Sequence, residues 1–144
     1  MNIDHQPAPQ QPEAIHPALL LLMLYNGAIE YVQEAAHSAS LQKAPLLMEA
    51  GLDRASAILS ELSAALDHSA DGQLTAGLYG LYTYMIRQLG RAKLSADAAA
   101  MEAVRDLLVG LRTTWEEAIE KSIEEHSLFM PEQILPVSGA VSGK

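Results

Sequence analysis

From Ala18 through Tyr25, eight consecutive residues are apolar or aromatic, and they follow directly on Pro17. Proline suits the first position of a helix, where its missing N–H would be unpaired anyway. Apolar positions then recur at helical spacing, with Leu20, Leu24, Gly27, Tyr31 and Ala35 as one stripe and Leu22, Tyr25, Ile29 and Val32 beside it. The pattern predicts a first helix from Pro17 to about Ser38, with the Leu20–Ala35 stripe as its core face. A helix with one buried face needs an apolar stripe only about 100° wide. This one is apolar on every side for about two turns. A bundle covers one side, so a chain terminus, a second copy or another protein must cover the rest. Asn26-Gly27 has the composition of a hairpin turn, but its flanks are helical in period. Gly27 is therefore expected where another backbone approaches the helix.

The remaining chain repeats this grammar. Residues 38–44 read as a loop, and Pro45 opens a second helix whose stripe is Met48, Leu52, Ala55, Leu59, Leu62 and Leu66. Its steps alternate between four and three, which is a heptad seam, and Ile58 stands off it. Asp67 to Gly72 is a polar turn. A third helix is expected from Gln73 to Ala92, with Leu74, Leu78, Leu81, Met85 and Leu89 inward and Tyr79, Tyr82 and Ile86 on its flank. Ser95 is the expected N-cap of a fourth helix, running to about Glu125 with Met101, Val104, Leu108, Leu111, Trp115 and Ala118 as its seam and Ile119 beside it. Four helices joined by short connections are best satisfied by an all-α, antiparallel up-down-up-down four-helix bundle. The bundle is expected over residues 17–126, with a flexible Pro/Gln-rich arm over 1–16 and a flexible tail over 127–144.

Composition narrows the function classes. The 144 residues carry a formal net charge of −9, which disfavours phosphate backbones and anionic lipid, so neither nucleic acid nor a membrane surface is expected as a partner. There are no cysteines, hence no disulfides or thiolate metal sites, which fits a reducing compartment. The N-terminus lacks the basic region of a secretory signal, and the apolar run falls short of the ~20 residues a membrane span needs. A cytoplasmic protein without membrane insertion is expected.

Catalytic signatures are missing: no nucleophile motif, phosphate loop or dinucleotide fingerprint occurs. Glu34-Ala-Ala-His37 has the Glu-x-x-His spacing of di-iron bundles, but those need two such pairs and two further inward carboxylates. The pair reads as a solvated end of the first helix, and neither a metal nor any other cofactor is expected. Glu116, Glu117, Glu120, Glu124 and Glu125 read as a solvated acidic face, and Tyr79, Tyr82 and Tyr84 read either as fillers of bundle seams or, one or two of them, as lining a groove for a partner.

Specific stretches resemble one known family. Leu24-Tyr25-Asn26-Gly27-Ala28 resembles the LYDGA motif of the flagellin export chaperones, the FliS family. Arg54-Ala55 with Ile58-Leu59 and Glu61-Leu62 is similar to that family's KAxxII-x-EL stretch. Leu66-Asp67, then Leu78, Leu81-Tyr82, Tyr84-Met85, Arg87 and Leu89, resemble its LD…L..LYxYM.R.L block. Leu111-Arg112 and Trp115 to Ile119 resemble its closing LR.TW.EAI. The order and approximate spacing agree over about residues 16–120.

The resemblance implies a non-enzymatic bundle that binds the disordered C-terminal segment of flagellin in the cytoplasm. There it prevents premature polymerisation and escorts the subunit to export, and flagellar export-gate components would be further partners. Client helices would sit in apolar surface grooves offered by Leu21, Leu22, Tyr25, Asn26, Ile58, Tyr79, Tyr82 and Ile86. Asn26 stands where the family has an acidic residue, as does Thr83, and residues 1–16 hold no aromatic, where the family's arm usually carries a tyrosine. The alternative from another class is a self-associating bundle whose surplus apolar face is a homodimer interface.

Overall fold

The structure, a computed structural model, describes residues 16–70 and 72–129. It holds α1 (Pro17–Leu41), α2 (Pro45–Ala64), α3 (Gly72–Ser95) and α4 (Ala98–Phe129), and among the described residues there is no strand. The chain divides within α4 into two units, residues 1–110 and 111–144. In the first, α1, α2, α3 and the opening turns of α4 make a four-helix bundle. In the second, α4 continues to Phe129, past the end expected near Glu125, with Leu111, Arg112, Trp115 and Ile119 half-buried and its glutamates through Glu125 exposed. The arm expected over 1–16 and the tail over 127–144 lie outside the described residues, apart from His16 and the last turn of α4.

Local chemistry explains the helix ends. His16 caps α1, its Nδ1 accepting the Ala18 N–H at 3.0 Å, with Pro17 in the first turn as expected. α1 runs past Ser38 because its far end closes on Gln42 in the left-handed conformation, φ 55°. The Gln42 and Lys43 N–H groups then bond back to the carbonyls of Ala39 and Ser38, both at 3.1 Å, which satisfies the helix's last acceptors. The connection to α2 is thereby cut to residues 42–44.

Ser95 is not the N-cap of α4; it is the last residue of α3. The cap is Asp97, whose Oδ1 accepts the Ala100 N–H at 3.1 Å, while its own N–H bonds to the Ala92 carbonyl at 3.0 Å and closes α3. One residue ends one helix and starts the next. Ala96 between them is held at φ 52°, where a Cβ costs about 1–2 kcal/mol and glycine is nearly free. Ala96→Gly is expected to raise stability by about 0.5–1 kcal/mol after allowing for glycine's freer unfolded chain, read as a higher urea midpoint at unchanged slope.

Long-range partners fix the order of the helices in the first unit. Lys93 near the end of α3 bonds to Asp53 in the first half of α2 at 2.8 Å. Gln33, His37 and Ser40 of α1 share a shallow polar hollow with Glu102 and Arg105 of α4, which sets the start of α4 beside the end of α1. Both neighbours fit an up-down-up-down succession.

The core follows the expected seam on α2, where Met48, Leu52, Ala55, Leu59 and Leu62 are all buried. On α4, Met101, Val104 and Leu108 are buried as expected. On α1 the inward face is Tyr25, Ala28, Ile29, Val32, Ala35, Ala36 and Ala39, so the expected core stripe is displaced. Of that stripe only Ala35 is buried; Leu24, Gly27 and Tyr31 are half-buried and Leu20 is exposed. On α3 the inward residues are Thr75, Tyr82, Met85, Leu89 and Ala92, whereas Leu74 is exposed and Leu78 and Leu81 are half-buried.

The close backbone approach is also elsewhere than expected. A Cβ on Gly27 would meet only the Cδ1 of Ile58, at an ordinary 3.5 Å. A Cβ on Gly51 of α2 would lie 3.1 Å from the Tyr31 carbonyl oxygen and 3.6 Å from the Ala35 Cβ. Gly51 is what lets α2 lie against the backbone of α1.

Candidate partner-binding surface

The first turns of α1 carry more apolar side chain than the bundle takes in. Leu19, Leu20 and Met23 are 53%, 45% and 49% exposed, and Leu21, Leu22 and Leu24 between them are half-buried. The geometry follows from the inward face beginning at Tyr25 and repeating at Ala28, Ile29 and Val32. At about 100° per residue, that face leaves Leu19 and Met23 pointing away from the core.

Beside this strip runs the seam between α1 and α2. Gly27 lies in it, where an added Cβ would meet the Ile58 Cδ1 at 3.5 Å, and both residues are half-buried. Beyond Gly27 the Arg54 guanidinium of α2 lies over the Tyr31 ring of α1 at 5.7 Å, a cation–π contact across the same pair of helices. On α3, Tyr79 is 50% exposed, with its ring edge-on to His68 at 5.9 Å between centroids, and Ile86 is half-buried. Asn26 is exposed.

Two residues expected to line the groove are core residues instead. Tyr25 and Tyr82 are 0% and 2% exposed, and their hydroxyls share a hydrogen bond of 2.6 Å between α1 and α3. Burial, then the bond to Tyr25, pushes the Tyr82 phenol well above the usual tyrosine range. Each tyrosine supplies a large ring to the interior, and the paired hydroxyls remove the cost of burying either one alone. The eight residues named from the sequence therefore split: Leu21, Leu22, Asn26, Ile58, Tyr79 and Ile86 retain accessible surface, and the two tyrosines do not. Leu20, read from the sequence as a core residue, and Met23 are surface residues that the sequence reading did not name. Their signal was the uninterrupted apolar run itself.

Glu34 and His37 are both exposed, and among the described residues no three His, Cys, Asp or Glu side chains converge. Among the described residues no helix is long and apolar enough to cross a membrane.

The sequence model of the family described as "Flagellar protein FliS" matches residues 4–122. The chain belongs to the FliS family. Curated FliS relatives agree over most of their length. The flagellar secretion chaperone FliS of Salmonella typhimurium is 32% identical over 120 residues, covering 77% of this chain and 82% of that protein. The protein of the same name from Bacillus subtilis is 30% identical over 104 residues, covering 72% and 76%. A crystal structure of a bacterial flagellar chaperone shares the fold, with a TM-score of 0.63 at 20% identity over 76% of this chain and 88% of that one. FliS proteins are chaperones of flagellar secretion, and the four stretches from Leu24 to Ile119 that resemble the family all fall inside the matched region.

Proposed function

We propose that this chain is a cytoplasmic flagellar secretion chaperone that holds the disordered C-terminal segment of flagellin and so prevents premature polymerisation. The observation that carries the reading is the exposed apolar strip of α1, Leu19, Leu20 and Met23, beside the contact of Gly27 with Ile58. The client would dock as short amphipathic helices, apolar side in. Leu21, Leu22, Asn26, Ile58, Tyr79 and Ile86 would line its path, with Tyr25 and Tyr82 supporting from beneath. Fully burying one aliphatic anchor contributes ~1.5–3 kcal/mol, so three or four offset the ~2–5 kcal/mol of ordering a disordered segment. The occupant supplies no chemistry and the site requires no cofactor, in keeping with a chaperone family.

Calorimetric titration with a synthetic flagellin C-terminal peptide tests the reading. One-to-one binding is expected, and Leu20→Asp with Met23→Asp should weaken it at least tenfold, about 1.4 kcal/mol. The melting temperature should fall far less than for a core substitution, because about half of each side chain is already in water. No binding by the unsubstituted chain would overturn the proposal, and a tight dimer in sedimentation that ignores the peptide would favour self-association.

A further inference from the structure

Sulfur is confined to methionine in this chain, which has six methionines and no cysteine. Met48, Met85 and Met101 are core residues of the first unit, 3%, 0% and 0% exposed. Met23 is 49% exposed. Met1 and Met130 lie outside the described residues. Among the described residues, Met23 is thus the one methionine that a solute in water can reach.

Its place on the helix gives that exposure a meaning. On a helix surface the neighbours of a residue are those three and four positions away. For Met23 these are Leu19 and Leu20 one turn earlier, both about half exposed, and Asn26 and Gly27 one turn later. Met23 therefore stands in the middle of the exposed strip, next to the contact of Gly27 with Ile58. No residue from Pro17 to Ile29 is charged. The thioether is the one apolar side chain in this run that a simple oxidant can make polar.

Hydrogen peroxide or an organic hydroperoxide does so in one step. A sulfur lone pair attacks the outer peroxide oxygen, the O–O bond breaks as the S–O bond forms, and proton transfer releases water or the alcohol. Sulfur is oxidised by two electrons and the peroxide reduced by two, giving methionine sulfoxide. A thiolate would compete for the oxidant, but this chain holds none. The sulfoxide is polar and accepts hydrogen bonds, so covering it with an apolar side chain buries an unpaired acceptor.

We infer that Met23 is an oxidation-sensitive element of the docking strip: its thioether form holds the client and its sulfoxide form does not. The inference rests on the strip being the client surface. A bound client covers Met23 and shields it, so peroxide acts on the empty chain. A methionine sulfoxide reductase reverses the change, two thiols giving a disulfide and water as the thioether returns.

The full chain, treated with hydrogen peroxide and then freed of it, is mapped by mass spectrometry and titrated with the flagellin C-terminal peptide. One oxygen is expected on Met23 well before any on Met48, Met85 or Met101, and bound peptide should slow its addition. Oxidation should weaken binding about tenfold or more, and reductase treatment should restore it. Met23→Leu should bind within about twofold of the unsubstituted chain and keep that affinity after peroxide, which separates Met23 from Met1 and Met130. Met23→Gln should bind weakly with no oxidant present. The inference falls if Met23 is oxidised no faster than the buried methionines, if the Met23 sulfoxide chain binds as before, or if Met23→Leu stays peroxide-sensitive; in each case the client surface itself stands. Failure of the untreated chain to bind the peptide overturns the client surface and this inference together.

Discussion

Tyr82→Ala is expected to cost about 3–5 kcal/mol, the usual range for deleting a buried aromatic ring. At roughly 2–4 °C per kcal/mol for a chain of this size, the melting temperature should fall by about 6–20 °C. The argument rests on placement: the ring is 2% exposed and its hydroxyl meets that of Tyr25 at 2.6 Å. A companion cycle separates ring from hydroxyl. Tyr25→Phe and Tyr82→Phe each leave one buried hydroxyl without this partner, at about 1–2 kcal/mol apiece, and the double variant should cost less than the sum.

Alkali offers a second view of the same pair. Because the folded phenol of Tyr82 titrates higher than its unfolded value of about 10, the native state binds the proton more tightly. Above pH ~10 the unfolded chain releases that proton and the folded chain keeps it. Stability is then complete below pH ~10 and falls as pH rises, by up to about 1.4 kcal/mol per pH unit. Urea midpoints measured across that range should show a shallower fall for Tyr82→Phe than for the unsubstituted chain.

The second large effect belongs to Gly51. Gly51→Val is expected to destabilise by about 2–3 kcal/mol, because its Cβ would lie 3.1 Å from a backbone oxygen that belongs to another helix. A side chain could swing away from such a clash; the Tyr31 carbonyl cannot, since it is fixed by the backbone of α1. Gly27→Ala is the matched control. With only the tip of Ile58 at 3.5 Å, that change should gain some of the ~1 kcal/mol by which alanine is the better helix former. Thermal melts of the two variants should therefore move in opposite directions. If Gly27→Ala also weakens flagellin-peptide binding, the Gly27–Ile58 contact is part of the recognition surface.

How far the sequence could be read differs helix by helix, for identifiable reasons. α2 was legible because its apolar residues make one heptad seam with a polar remainder, and five of the six seam residues are buried. α1 was not, because a segment apolar on all sides gives the period but not the phase. Its true inward face is largely alanine, at positions 28, 35, 36 and 39, and alanine carries too little hydrophobicity to outvote the five leucines of the run. The same ambiguity moved Tyr25 and Tyr82 to the groove in the sequence reading, since a tyrosine at helical spacing suits a seam or a surface. Gly27 drew attention because it follows Asn26, whereas the glycine that matters for packing, Gly51, sits in an unremarkable Ala-Gly-Leu. At the α3–α4 corner, Ser95 and Asp97 are both good caps two residues apart. The choice was made by the turn that ends α3, which is invisible until Ala96 is known to be left-handed.

The uncovered leucines of α1 also govern how the free protein behaves as a colloid. Oily strips on identical molecules attract one another, and what holds them apart is the mutual repulsion of a −9 particle. That repulsion is screened within about 8 Å at physiological ionic strength, and it vanishes near the isoelectric point of about 4.8. Acidified or salted solutions of the empty molecule should cloud well before the helices melt, and an occupied strip should keep them clear.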